Sequence, residues 1–381
     1  MTELYNSDGL FVLDHNFKKL VYIDQYVSFI WIERFRDYSE FELYMRADQN
    51  LLQYFTINNF IMRDYHAPKY RYEIDGVIYY NAEPELMIIE KIQINTSEEE
   101  GNYYVISGRS AECLFNRRVL RGTYTFANYE LTALVPVVKN DDFNIENPFP
   151  FTWSYTVSNV DGSEKILPLV EPSRGYNIYD LFHEFSKKAN CGLRVLVDES
   201  ASATASFWLY LYIGNDRTRG NEALQPVIFS PEYHNLVSSK YVRDTTNVKN
   251  ICYIASDGEW YQEKFQTVFY NPRLDSYSKK EMFLKSDVPL KDTSGNIRPD
   301  ADVLNDLSEQ GMLELLNHRP VQSLDFDVIS TEQFRYQHEY FLGDLVTVDN
   351  GFGISVTAKV VEVSQIWDEN GYRIIPKLEV V

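Results

Sequence analysis

Short runs of apolar residues, alternating with polar ones, fill the first third of the chain. Tyr26-Val27-Ser28-Phe29-Ile30-Trp31-Ile32 carries β-branched and aromatic residues at successive positions, the pattern of a strand buried on both faces. Tyr70, Tyr72 and Ile74 alternate with Arg71 and Glu73, and Val77-Ile78-Tyr79-Tyr80 follows after Asp75-Gly76. Asp-Gly supplies the positive φ angles of a type I′ turn, so these two runs predict a hairpin. Strands are also expected over residues 86–94 and 103–107, on either side of a polar tip containing Glu98-Glu99-Glu100. That acidic run reads as a solvated tip before it reads as a cation site.

The texture changes over residues 123–172. Pro136, Pro148, Pro150, Pro168 and Pro172 punctuate it, which predicts an inserted segment with long loops. A helix is expected next, with Asn177 as N-cap and Ile178, Leu181, Phe182 and Phe185 forming an apolar stripe. Strands follow over 193–197 and 207–213. A second helix is predicted over 302–317, where Leu304, Leu307 and Leu315 share a face and Gly311 weakens the middle by about 1 kcal/mol relative to Ala. In the last strand, Pro376 cannot donate to a ladder, so that strand is expected at an edge or a bulge.

The chain contains a faint internal echo. The hairpin at 74–79 precedes a strand, a polar tip and another strand; residues 342–348 precede the same series near the end. Identity between the two stretches is negligible, and turn–strand–turn–strand is common in β proteins. The reading is a pair of related small barrels separated by an insertion.

Composition narrows the class. The 381 residues hold 36 Lys plus Arg against 56 Asp plus Glu, a formal charge of −20, with 44% hydrophobic and 15% aromatic residues. That length supports two or three domains with a sizeable core, and the aromatic content favours β structure. The charge argues against a protein that grips phosphate backbones. No apolar run reaches the ~18 to 20 residues of a membrane span, and the first residues lack the basic and apolar regions of a signal peptide. Cys113, Cys191 and Cys252 stand apart, without a C-x-x-C pair, and are expected to be reduced, buried thiols.

The sequence holds no H-E-x-x-H, G-x-S-x-G, G-x-x-x-x-G-K or G-x-G-x-x-G motif, and its six histidines lack ligand spacing. Asp292-Thr293-Ser294-Gly295-Asn296 imitates the start of an EF-hand loop, but its glycine comes too early, so it reads as a turn. Arg109, Arg117 and Arg118 form the one basic cluster of the β-rich region. A phosphate site is conceivable there; salt bridges within an acidic chain are the plainer reading. No catalytic residue, metal or cofactor is assigned.

The ordered pieces resemble the tail-hub proteins of siphophages, the hub part of tail-associated lysins. The resemblance rests on residues 23–31 around Trp31, on 89–92, and on 104–110 with Gly108 and Arg109, followed by Arg117, Arg118 and Val119. It continues through Gly214-Asn215-Asp216-Arg217-Thr218, residues 227–230, Asn235-Leu236, Asn250-Ile251, residues 280–283, and Phe341-Leu342-Gly343-Asp344. Residues 273–280 depart from the arginine-rich stretch expected there. The motif positions Trp31, Gly108, Arg109, Arg117, Arg118, Asp216, Arg217, Thr218, Asn250, Gly343 and Asp344 would be structural or assembly residues.

The resemblance implies a mainly β fold with α/β insertions, two related small β-barrels, and similarity to the trimeric hub of contractile-phage baseplates. Its domains would be a first barrel over 1–125, completed by about 225–245, an inserted α/β domain over 126–224, a linking segment over 246–325, and the rest of the second barrel over 326–381. It implies a homotrimer at the virion tail tip, assembled in the host cytoplasm and not inserted in a membrane. Partners would be the distal tail ring, the tape-measure C-terminus and a separate fibre or receptor-binding protein, with DNA only in passing. Some members carry a lytic or fibre domain after the hub; the chain ends at Val381 directly after its last expected strand, so a short, non-enzymatic hub is expected. The alternatives are a tail-tip cell-wall hydrolase, which needs paired carboxylates or a nucleophile with its base, and a carbohydrate-binding module, which would expose residues such as Trp153, Trp260 and Trp367.

Overall fold

The computed structural model describes residues 9–64, 70–74, 77–81, 85–98, 101–122, 154–158, 174–198, 206–221, 223–258, 263–270, 275–291 and 294–381. Two compact units result, one of residues 1–238 with 327–381 and one of residues 239–326. The inserted proline-rich stretch, the Asp75-Gly76 turn, Trp153 and Trp260 fall largely or wholly outside the described residues.

In chain order, the strands begin with β1 (Leu10–Leu13), β2 (Lys19–Ile23), β3 (Ser28–Arg34) and β4 (Glu40–Arg46), then helix α1 (Gln49–Leu52). Next come β5 (Phe60–Arg63), β6 (Tyr70–Ile74), β7 (Val77–Asn81), β8 (Leu86–Ser97), β9 (Gly101–Ser110) and β10 (Ser154–Ser158). Helix α2 (Ile178–Lys188) precedes β11 (Gly192–Asp198), β12 (Ser206–Tyr212), β13 (Ile228–Phe229) and β14 (Leu236–Asp244). The second unit holds β15 (Ile251–Ala255), β16 (Phe265–Phe269), β17 (Glu281–Lys285) and helix α3 (Asp300–Asn317). The chain ends with β18 (Val321–Val328), β19 (Leu345–Asp349), β20 (Ser355–Asp368) and β21 (Gly371–Val380).

Eleven strands of the first unit form one sheet, in the order β13-β19-β20-β3-β4-β9-β8-β5-β1-β2 with β21 also paired to β20. The fold is mainly β, as expected. Its pairing among the described residues is an open path, and no ring of strands closes into a barrel. β3 buries Phe29, Trp31 and Glu33 fully, while Ile30 and Ile32 on its other face are half-buried, so burial is one-sided where the apolar run suggested two. Among the described residues β21 pairs only with β20, which gives Pro376 its expected edge.

Two apolar clusters among the described residues help to hold this unit. Trp31, Leu43, Ile61, Ile89, Ile106 and Trp367 lie in one. Trp367, a candidate surface aromatic from sequence, is only 6% exposed and stacks on Tyr372 with ring centroids 4.5 Å apart. The other cluster gathers around α2, whose Ile178, Leu181, Phe182 and Phe185 meet Cys113, Phe115, Leu120, Cys191 and Leu193. Burying each of those four stripe residues contributes about 1.5–3 kcal/mol, and Asn177 caps the helix by accepting from the Tyr179 and Asp180 amides.

In the second unit β15 lies between β16 and β17. Val303, Leu307 and Leu315 of α3 pack with Cys252, Ile254 and Val268, and Leu304 is half-buried against them. Gly311 explains itself here: a Cβ would sit 2.9 Å from the Val268 Cγ2. All three cysteines are buried thiols outside any disulfide.

The internal echo takes a definite form in the first unit. Hairpins β8–β9 and β20–β21 each carry a bulge, at Glu90 and Val361, seven residues before the last paired position of the first strand. β5 lies along the start of β8 as β19 lies along the start of β20. The turns entering β5 and β19 also match: Asn58 and Gly343 both have positive φ, 72° and 93°. The Asn58 amide donates to the Ile89 carbonyl and the Ile89 amide to the Asn59 carbonyl; Gly343, Val360 and Asp344 repeat both bonds. Residues 342–348 therefore correspond to 57–63, not to the hairpin at 74–79 that the sequence pattern suggested.

Candidate functional site

Three constellations stand out in the first unit. At the first bulge, Arg109 reaches Glu90 through two bonds of 2.6 and 3.0 Å, and Arg117 reaches the same carboxylate at 3.1 Å and Asn58 at 2.6 Å. Burial alone would raise the Glu90 carboxyl, but the two arginines more than offset it and hold the group below the usual carboxylate range. Gly108 lies beside this bulge because a Cβ there would come 1.7 Å from the Ile88 carbonyl oxygen. The neighbouring Cys113 thiol is pushed up to about 12, chiefly by burial, so it stays protonated and is a poor nucleophile. Arg118 contributes backbone bonds, its amide donating to the Phe115 carbonyl and its carbonyl accepting from the Ile178 amide.

The second constellation forms at the turn before β19. Asp344 is buried and accepts from the Asn215 amide at 2.7 Å, the Phe341 amide at 3.0 Å and the Arg217 guanidinium at 2.9 Å. Burial raises its carboxyl to about 6 in spite of those donors. Asp216 accepts from the Thr218 amide and hydroxyl, closing a local turn, and bridges to Leu345. Gly343 is required twice over: its φ is positive, and a Cβ would strike the Phe35 ring at 2.5 Å. The sequence motifs at 214–218 and 341–344 thus come together in space, 127 residues apart along the chain.

The third constellation escaped the sequence. Where β3 meets β20, the fully buried Glu33 accepts from Tyr336 at 2.5 Å and from Gln365 at 3.1 Å. Gln365 in turn accepts from Arg63 at 2.9 Å and Tyr372 at 2.8 Å, and Arg194 links Glu33 and Glu85 at 3.5 and 2.7 Å. Burial raises the Glu85 carboxyl against the pull of Arg194, and it raises the Tyr336 hydroxyl as well. Each member comes from a different element, so no local spacing announces the set. The available signal was Glu33 at an inward position of an otherwise apolar strand. Glu112, whose carboxylate accepts from the Val195 amide at 2.6 Å, is raised to about 7 by burial and by Glu85.

Trp31 sits in the apolar cluster of the first unit. Asn250 belongs to the second unit, where its side chain donates to the Ser278 carbonyl and accepts from the Lys280 amide. The bonds these groups make fix turns, bulges and a strand junction. Among the described residues no group of three or more His, Cys, Asp and Glu could hold a metal ion. No helix among them is long and apolar enough to cross a membrane.

Solved structures share this fold. A tail protein from Neisseria meningitidis MC58 aligns with a TM-score of 0.50 at 11% identity, over 97% of this chain and 95% of that one. A chain of the phage P2 baseplate in its activated conformation with Ca aligns with a TM-score of 0.52 at 10% identity, over 97% and 98%. No curated protein sequence matches. The siphovirus ReqiPepy6 Gp37-like description matches residues 10–378, nearly the whole chain, and the protein belongs to that family.

Proposed function

We propose that the protein is a structural component of the phage tail tip, a trimeric hub attached below the distal tail ring. The carrying observation is the duplication within the first unit, in which β5, β8 and β9 recur as β19, β20 and β21. A chain with two related halves lets three copies present six similar faces, which reconciles a three-fold hub with a six-fold tube. The family membership and the shared fold of tail and baseplate proteins support the same reading. At the motif positions Arg109 and Arg117 spend their guanidinium groups on Glu90, and Arg217 spends its own on Asp344, which suits a scaffold better than an enzyme.

In this reading the trimer closes or lines the lumen, meets the tape-measure end from inside, and opens for the passage of DNA. Each copy carries −20, and an acidic wall repels DNA instead of trapping it. The first test is mass in solution: a particle near 134 kDa, three times the 44.6 kDa chain, is expected from light scattering, alone or with the tail ring protein added. A persistent monomer that releases fragments from purified cell walls would replace the hub with a tail-tip hydrolase. The charge hypothesis is tested separately by an assembled structure, where a basic channel wall removes it.

A further inference from the structure

The duplicated hairpins are identical in plan but differ in what covers them. Beyond its bulge, β20 pairs with β3 over residues 362–367. The corresponding stretch of β8, residues 91–96, has β9 on one side and no strand on the other among the described residues. The Asn102 carbonyl accepts from the Ala47 amide on the β4 side, so residues 102 and 104 face β4. Their partners on β8, Thr96 and Ile94, therefore turn their amides and carbonyls away from β9, towards the open edge. Ile94 is 50% exposed.

The outer edge of β21 is treated differently. The Ile374 carbonyl accepts from the Ser330 amide, so Ile374 and, two residues on, Pro376 face away from β20. Pro376 thus removes a donor from the outer edge of β21 without weakening its ladder, a device that discourages strand addition. Residues 91–97 contain no proline.

Duplication also names the occupant. In the first half the order is β3, β4, β5, β8, β9, with β3 and β4 paired; in the second it is β14, β18, β19, β20, β21, with β14 and β18 paired. β3 is the strand that covers the late part of β20, and its counterpart is β14. Within one chain β14 pairs only with β18 among the described residues, and it is exposed along most of its length, with Val237 at 64%.

We propose that β14 of a second copy of this chain adds antiparallel to the open edge of β8 at residues 91–96, repeating between chains the junction that β3 makes with β20 within one. Donor and acceptor are different surfaces, so the contact is head-to-tail and closes into a ring or runs on as a filament. The inference rests on the hub reading only for the number of copies in the ring.

The experiment compares the full chain with Ile94→Pro, which removes one outward amide and leaves the β8–β9 ladder intact. Light scattering over a concentration series, with the tail ring protein present, is expected to give an oligomer for the native chain. Ile94→Pro should give a monomer with unchanged circular dichroism. In a second arm, Ile94→Cys carries a maleimide diazirine on isotopically mixed chains, the native cysteines being buried. Photolysis is expected to join it to a peptide containing residues 236–244 of another copy. Ile94→Pro assembling like the native chain, or cross-links only elsewhere, overturns the pairing and leaves the hub reading standing. A native chain that is monomeric throughout overturns both. Should Ile94→Pro fail to fold, the cross-linking arm decides alone.

Discussion

The hairpins β8–β9 and β20–β21 share the extent of their ladder, bulge position and a flanking strand, yet the same structural positions carry opposite chemistry. Gly108 stands opposite Ile89, where Leu378 stands opposite Val360. The first bulge holds a carboxylate, Glu90, clasped by two arginines; the second holds Val361. Ile94 is half exposed, whereas its counterpart Gln365 is buried and bonded to Arg63, Glu33 and Tyr372. Backbone geometry is what the two halves retain in common. Side chains follow what each strand faces: an internal junction becomes a polar network, and an open edge stays plain.

The comparison breaks hardest at Gly108. The Ile88 carbonyl cannot move without tearing the bulge, so Gly108→Ala is expected to cost about 4 kcal/mol or more. Leu378→Ala, at the matching place, should cost about 1–2 kcal/mol, as removal of a half-buried side chain. Urea denaturation of both variants measures the difference, and equal losses would dissolve the distinction. Next in size is Gln365→Leu, which leaves Glu33, Arg63 and Tyr372 each short of a bond. A loss of about 2–3 kcal/mol is expected by the same measurement. Ile94→Gln on the open edge should change unfolding by no more than about 0.5 kcal/mol in dilute protein.

How far the sequence revealed these features follows from the range of the interactions. Asn177 and the α2 stripe were legible because cap and periodicity act within a few residues. Pro376 was legible because a missing amide constrains its own strand. The duplication was visible only as a rhythm, and the hairpin at 74–79 drew it out of register. The matching turn, Asn58-Asn59, uses a different residue from Gly343 to reach the same positive φ. The polar junction at Glu33 was illegible, since Arg63, Arg194, Tyr336 and Gln365 approach it from four distant segments. The motif residues Arg217 and Asp344 could be named but not paired until the fold joined them.

A smaller effect separates the bulges. Glu90→Gln removes the charge that two arginines share and is expected to cost about 1–2 kcal/mol at pH 7. Because the folded carboxyl lies below its unfolded value, the stabilisation exists above that value and disappears as pH falls through the folded one. Native and Glu90→Gln chains should therefore converge in denaturant midpoint as pH drops below about 4.5, whereas Val361→Ala should show the same deficit at every pH.

The turns before β5 and β19 supply the finest contrast. Asn59 cannot titrate, while Asp344 in the corresponding place is raised from 3.8 to about 6 by burial. Between those values the folded chain binds more protons at this site than the unfolded chain. The contribution of Asp344 is thus fully present below 3.8 and is lost as pH rises through 6. From pH 5 to pH 7.5 the native chain should lose about 1 kcal/mol relative to Asp344→Asn, which lacks the titrating group. Asn59→Ala, measured against the native chain over the same range, should show a constant difference. Denaturant titrations at the two pH values test the sign. A native chain that gains on Asp344→Asn with rising pH would mean that Arg217 and the two amides outweigh burial, and that this carboxylate is held like Glu90 instead of against its environment.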